Sequence, residues 1–330
     1  MMTGAGGREP QAMIVQVARM YYEQGMTQPA IAEKLHLSQS RISRWLKQAQ
    51  EEGIVRTVVI PPEGVFNDLE EIIAARYGMR QVIVVETGSD EHSLMAGLGA
   101  AAAGYLETTL ENGARVGFSS WSATLLATVD AMMPLKRKQV ESIVQVMGGV
   151  GNPEVQVKAT QLTHRFARLT GGTPVFLPTP GIVSSKSARD TLFQDPHVRD
   201  TARLWSRLTD VIVGIGTVAP SPLLRISGNA IGDEELALLA EKGAVGDVAT
   251  RFFDAEGAHV DSELDERVVG IDADTLRSIP RRVGIAGGVR KAEAIRAAMK
   301  GGWIDVLITD LSTAYRLADA ESPGDPPVST

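Results

Sequence analysis

Nine apolar runs, each short enough to be a strand and most of them followed by a helical stretch, constrain this chain more than any other feature. They are QVIVVET (81–87), ARVGFSS (114–120), ESIVQVMGG (141–149), TPVFLP (173–178), DVIVGIG (210–216), AVGDVATRFF (244–253), RVVGID (267–272), RVGIAGG (282–288) and WIDVLITD (303–310). Helical patterns lie between them over 67–78, 93–113, 122–133, 155–169, 198–208, 233–243 and 291–302. Alternation of this kind predicts a doubly wound α/β domain, a mostly parallel sheet with helices on both faces. The helix from Leu94 to Gly104 is almost entirely Ala and Gly. With so little bulk, it must pack very closely against the sheet or a neighbouring helix.

Ahead of this region lies a different pattern. In TQPAIAEKLHLSQSRISRWLKQAQEE (27–52), Ala30, Ile31 and Leu35 give a short helix one apolar side. His36 and Leu37 make a turn, and Ser38 is placed to cap a second helix whose Ile42, Leu46 and Ala49 share one face. The opposite side carries Gln39, Ser40, Arg41, Ser43, Arg44, Lys47 and Gln48. Arg and Gln pair with base edges, while Ser and Lys hold phosphates, so this is the composition of a helix that reads a major groove. Two helices, a tight turn and a basic second helix predict a helix-turn-helix, with Gln28, Ser38, Gln39, Ser40, Arg41, Ser43, Arg44 and Lys47 as candidate contacts to double-stranded DNA. Gly is common in such a turn, and His36 stands near that place here. An apolar helix from Gln11 to Gln24, with Ile14, Val15, Val17, Ala18, Tyr21 and Tyr22, is expected to support the motif. The run after Gly53 reads as a wing strand stopped by Pro61 and Pro62.

The expected organisation is therefore an all-α DNA-binding domain over 1–60, a linker over 61–67, an effector-binding domain over 68–320 and a loose polar tail over 321–330. Net charge is −7, but residues 1–60 carry seven Lys and Arg against five Glu, a local +2. So weak a basicity predicts poor DNA binding by one copy at cellular salt, and hence a homo-oligomer presenting at least two. Hydrophobic residues at 44% and charged residues at 22% are ordinary globular values. No apolar run approaches the roughly 20 residues of a membrane span, and the first ten residues lack a signal-peptide core, so a cytoplasmic location is expected. Cys is absent, which excludes disulfides, Cys zinc sites and thiol nucleophiles.

In open α/β sheets small molecules bind beyond the carboxyl ends of the strands, so residues just after each run are the candidate ligand contacts. GFSSWSATL places Gly117, Ser119, Ser120, Trp121, Ser122 and Thr124 between a strand and a helix N-terminus, where hydroxyls and amides can cradle a phosphate. One such loop alone is as well explained as a capped turn. Repetition strengthens the reading: Gly148, Gly149 and Gly151 follow another run, Gly214, Gly216 and Thr217 a third, and Gly287, Gly288 and Lys291 a fourth. Lys291 falls in the first turn of a helix, against the local dipole, and a nearby anion explains it. Asp247 is a candidate for a sugar hydroxyl or, equally, a strand-end cap.

The whole chain resembles the SorC/DeoR family of sugar-responsive bacterial transcription regulators. The residues that carry the resemblance are MTQPAIAEKLHLSQSRISRWLKQAQEEGIV, GFSSWSATL, DVIVGIG, GAVGDVATRFFDAEG and IAGGVRKAEAIRAAMKGGWIDVLITDLSTA. It implies an effector domain of the phosphosugar isomerase and ribose-phosphate isomerase fold, a phosphorylated sugar or related metabolite as effector, and homotetramers built as dimers of dimers. By motif position it assigns phosphate contacts to Ser119, Ser120, Ser122 and Lys291, and sugar contacts to Asp247. Where the family's first loop commonly turns on Trp-Gly, this chain has Ser120–Trp121–Ser122. The competing reading is a phosphosugar isomerase, which needs carboxylate or His bases around the sugar. Asp247, Asp310, His36, His92, His164, His197 and His259 supply such groups, but no two of the His have metal-ligand spacing. A regulator without cofactor or metal is the expectation.

Overall fold

The structure, a computed structural model, describes residues 8–55, 64–88, 90–119, 122–135, 139–149, 153–219 and 231–319. It divides into two compact units, Met1–Pro62 and Glu63–Thr330. Most of the expected wing and linker, Ser120, Trp121, Gly151 and the tail lie outside the described residues.

The first unit is three helices, α1 (Arg8–Tyr22), α2 (Gln28–Leu35) and α3 (Gln39–Glu51). Val17 and Met20 of α1 close a core with Ile31, Ala32, Ile42 and Leu46, and Ile14 and Ala18 pack with Ala49. Because the buried stripe of α1 is Ile14, Val17 and Ala18, at i, i+3 and i+4, Val15 and Tyr22 are turned outward. Tyr22 meets α3 through its hydroxyl, which accepts a hydrogen bond from Gln50 Nε2 at 2.8 Å. His36 ends α2 in the left-handed region at φ 52°, and its N–H returns to Ala32 and Glu33. It thus performs the turn usually left to Gly, at a backbone cost of about 1–2 kcal/mol. Ser38 stands at the N-cap of α3, but its side chain makes no cap bond; its Oγ lies 3.2 Å from Ser40 Oγ instead.

The second unit opens with α4 (Asn67–Tyr77), β1 (Gln81–Val85), α5 (Glu91–Thr109), β2 (Arg115–Phe118), α6 (Ala123–Ala131), β3 (Ser142–Gln145), α7 (Pro153–Thr170) and β4 (Thr173–Val175). There follow α8 (Lys186–Gln194), α9 (Pro196–Trp205), β5 (Asp210–Gly214), β6 (Gly216–Thr217), α10 (Asp233–Glu241), β7 (Ala244–Val248) and β8 (Arg251–Asp254). It closes with α11 (Ala273–Ser278), β9 (Arg281–Ile285), α12 (Ala292–Lys300), β10 (Val306–Asp310) and α13 (Leu311–Ala318). Seven strands form one sheet in the order β1-β10-β9-β5-β2-β3-β4, every pair parallel. Along a strand, successive residues enter opposite cores: Val211 and Val213 one, Ile212 the other, and Leu307 one, Val306 and Ile308 the other. Burial on both faces is why these strands read as unbroken apolar runs. A Cβ at Gly99 of α5 would lie 2.7 Å from the backbone of Ala127 in α6, the close packing that the small residues allow.

Two expected strands are different in kind. The run 244–253 is a hairpin, β7 and β8, in a separate three-stranded antiparallel sheet β6-β7-β8. The run 267–272 is apolar because it is buried, yet it makes only isolated bridges, Ile182 with Val268 and Met147 with Gly270. Helices α8, α11 and α13 were not expected. Among them α8 buries no residue and so has no apolar stripe to read.

Gly257 is a sharp test of the packing. Its φ is +80°, and a Cβ there would lie 2.3 Å from Gly301 N and 2.4 Å from Ala297 O. We expect Gly257→Ala to cost about 3 kcal/mol and lower the melting temperature by about 6–12 °C, read by thermal unfolding. An unchanged melting temperature contradicts the packing.

Candidate functional site

On the first unit, Ser38, Gln39, Ser40, Arg41, Ser43, Arg44 and Lys47 are all exposed, while Gln28 at the start of α2 is half-buried. They share the wet side of α3 because Ile42, Leu46 and Ala49 fix the other side in the core. Their internal ties are weak. Arg44 Nε reaches Ser40 O at 3.4 Å, Lys47 Nζ lies 3.6 Å from Glu51, and the Arg41 guanidinium sits 5.4 Å from the Trp45 ring centre. Exposed pairs of this type contribute little, so these cations are not committed to partners within the unit.

In the second unit the connections out of adjacent β2 and β5 run in opposite directions: β2 leads toward β3 and β4, β5 toward β9 and β10. That is a topological switch point, the place where open α/β sheets bind small molecules. Ser119 follows β2 and is 8% exposed. Ser122 is the N-cap of α6; its Oγ accepts from Leu125 N at 3.4 Å and lies 3.2 Å from Thr124 Oγ1. Thr124 is buried in the helix and serves this cap. Gly214, at the end of β5, lets the loops meet: a Cβ there would lie 2.5 Å from Ser122 Oγ.

Next to β5 stands β9, whose following loop holds Gly287, Gly288 and Lys291. Gly288 has φ +92°, and its N–H donates to Asp310 Oδ1 at 2.7 Å. Asp310 also accepts from Thr313 N and Oγ1, so one buried carboxylate pins the loop and caps α13. Lys291 is the N-cap of α12, and its Nζ donates to Ile215 O at 2.8 Å. Part of the charge that looked unanswered in the sequence is answered here by a carbonyl.

Asp247 on β7 is paired in register with Gly216 on β6. A Cβ at residue 216 would come within 2.0 Å of Asp247 Oδ1, so only Gly lets the carboxylate occupy this place. Burial pushes Asp247 up to about 6, opposed by a hydrogen bond from Thr250 N and by the charge of Lys291. Burial lowers Lys291 below the usual lysine value, opposed by Asp247. Thus Ser119, Ser122, Gly216, Thr217, Asp247, Gly288 and Lys291 gather around three adjacent strand ends. Gly148 and Gly149, after β3, are buried. Gly148 is required by packing, since a Cβ would lie 2.4 Å from Pro180 O, and its N–H is taken by Val269 O, so the free amide expected there is not free. Thr250 escaped the sequence reading as a member of this region, and Asp310, read there only as a possible base, is instead a cap, for which the Asp310-x-x-Thr313 pattern was the visible signal.

Elsewhere among the described residues, His259, Asp261 and Asp265 come together in metal-ligand range. Arg251 already neutralises Asp265 at 2.6 Å. No described helix is long and apolar enough to cross a membrane.

A three-helix unit offering a basic helix, joined in one chain to a doubly wound domain with a polar cluster at its switch point, defines a DNA-binding transcriptional regulator with a separate ligand-binding domain. Residues 64–318 match the family described as "Putative sugar-binding domain", and residues 12–58 match the homeodomain-like family. The chain belongs to the SorC/DeoR family of sugar-binding transcriptional regulators. It is 32% identical to the deoxyribonucleoside regulator of Bacillus subtilis, over 94% of this chain and 99% of that one. It is 30% identical to the sorbitol operon regulator of Klebsiella pneumoniae, over 92% and 97%. The crystal structure of the full-length Klebsiella protein, SorC, superposes with a TM-score of 0.70 at 27% identity, covering 94% of this chain and all of that one. These relatives are named as regulators, which decides between the regulator and isomerase readings in favour of the first.

Proposed function

We propose that this protein regulates a carbohydrate-utilisation operon and that a phosphorylated sugar or related metabolite sets its affinity for operator DNA. The carrying observation is the opposition of Lys291 and Asp247 at the switch point, beside the α6 N-terminus. A phosphate is suited to Ser119, Ser122, the α6 amides and Lys291, and a sugar hydroxyl to Asp247 and the backbone at Gly216 and Thr217. By motif position Ser120 and Trp121 belong to the same loop, and Thr124 supports it. On the other unit, Arg41, Arg44, Gln39 and Gln28 read bases, while Ser38, Ser40, Ser43 and Lys47 position the phosphate backbone.

The protein works in the cytoplasm as a homotetramer. Effector binding changes how subunits pack and so the separation of paired α3 helices, which must match half-sites about 34–36 Å apart or at multiples of that. Thermal unfolding against a panel of sugar phosphates is the direct test. A ligand at 100 times its dissociation constant adds about 2.7 kcal/mol of stability, and Lys291→Ala is expected to abolish the shift while leaving operator binding intact. A panel without any shift in the wild-type protein rejects the effector class. Sedimentation showing only monomer with full operator affinity rejects the assembly.

A further inference from the structure

The tip of the β7–β8 hairpin is built against the usual rules. Val248 pairs with Arg251, so the connection is two residues, Ala249 and Thr250. Both have positive φ, 52° and 63°. Turns of this type are ordinarily made by Asn-Gly, and a β-branched residue in the left-handed region is an outlier. The tip is nonetheless buried, Ala249 at 9% and Thr250 at 4% exposed. Thr250 holds two things: its N–H donates to Asp247 Oδ2 at 3.0 Å, and its hydroxyl reaches Met147 Sδ, 3.2 Å away, just beyond β3 of the main sheet. Strain at a non-Gly residue persists only where the surroundings enforce it, and it concentrates at functional sites.

We propose that Thr250 is a positioning residue of the effector site, tying the Asp247 strand to the main sheet so that Oδ2 is held and Oδ1, beside Gly216, is presented to the effector. This rests on the reading of the site given above for what Asp247 binds, but not for how Asp247 is held. Gly at 250 would relieve the backbone and keep the N–H, yet lose the tie to Met147. Ser would keep the hydroxyl. Lys291 is the charged group facing Asp247; Arg290 and Glu91 act on Lys291, and neighbouring Arg251 is occupied by Asp265.

The test is a carboxyl-13C titration of Asp247 in the full-length protein, assigned with Asp247→Asn. The wild-type midpoint is expected near 6. In Thr250→Gly the hydrogen bond from residue 250 is no longer held, while the burying elements β6 and α12 stay, so the midpoint rises by about half a unit or more. In Thr250→Ser it stays, and Met147→Leu, which removes only the sulfur acceptor, raises it by less. A midpoint unmoved in Thr250→Gly, or moved as far in Thr250→Ser, overturns the proposal. Ribose 5-phosphate thermal shifts on the same variants separate the two readings. A wild-type response with an unmoved Gly-variant midpoint defeats the positioning role alone. A moved midpoint accompanied by no response to any sugar phosphate upholds it and defeats the effector class.

Discussion

Arg44→Ala is expected to weaken operator binding by about 30-fold to 25,000-fold while the effector-induced thermal shift is unchanged. Arg44 is exposed in the middle of α3, tied among the described residues by a 3.4 Å bond to Ser40 O. A bidentate Arg–base pair contributes about 1–3 kcal/mol, and two half-sites double the loss. Anisotropy titration of labelled operator at fixed salt measures it. A loss under threefold removes Arg44 from the interface, whereas an equal loss of effector response implies damage beyond the DNA-binding unit.

Asp247→Asn is expected to make the protein more stable and deaf to its effector. An acid whose folded pKa is raised, here from 3.8 to about 6, costs nothing below the unfolded value and destabilises the fold progressively as pH rises through 3.8 to 6. Above that the penalty is complete, up to about 3 kcal/mol. Asn removes the charge, so at pH 7.5 the melting temperature rises by as much as about 6–12 °C, with the gain vanishing near pH 4. Loss of sugar-phosphate response together with a lower melting temperature would mean that Asp247 is a structural cap, the other role its sequence position allowed. Effector affinity in the native protein is expected to fall as pH drops through 6, because a protonated carboxyl no longer accepts both bonds.

What the sequence revealed followed from what burial does to side chains. The strands were readable because both of their faces are covered, and α3 because one face is. The order of strands was not readable, since any parallel sheet of apolar runs looks alike along the chain. The hairpin inside 244–253 stayed hidden because Ala249 and Thr250 carry none of the Gly or Asn that usually marks two left-handed residues. The glycines after β5 and β9 pointed to the site, but Gly148 pointed to close packing against Pro180, and composition alone gives both the same signature. Asp310 was read as a possible base; in the fold, its oxygens are spent on Gly288 and Thr313.

The outermost strand β1 presents its Val84 N–H to Glu70 Oε1 at 2.8 Å, and β4 at the other margin is three residues long and contains Pro174. Both features count against the addition of a further strand at these margins. In the homo-oligomer proposed above, we expect the subunits to meet through side chains, contacts that can slide and re-form, rather than through a backbone seam along these two margins.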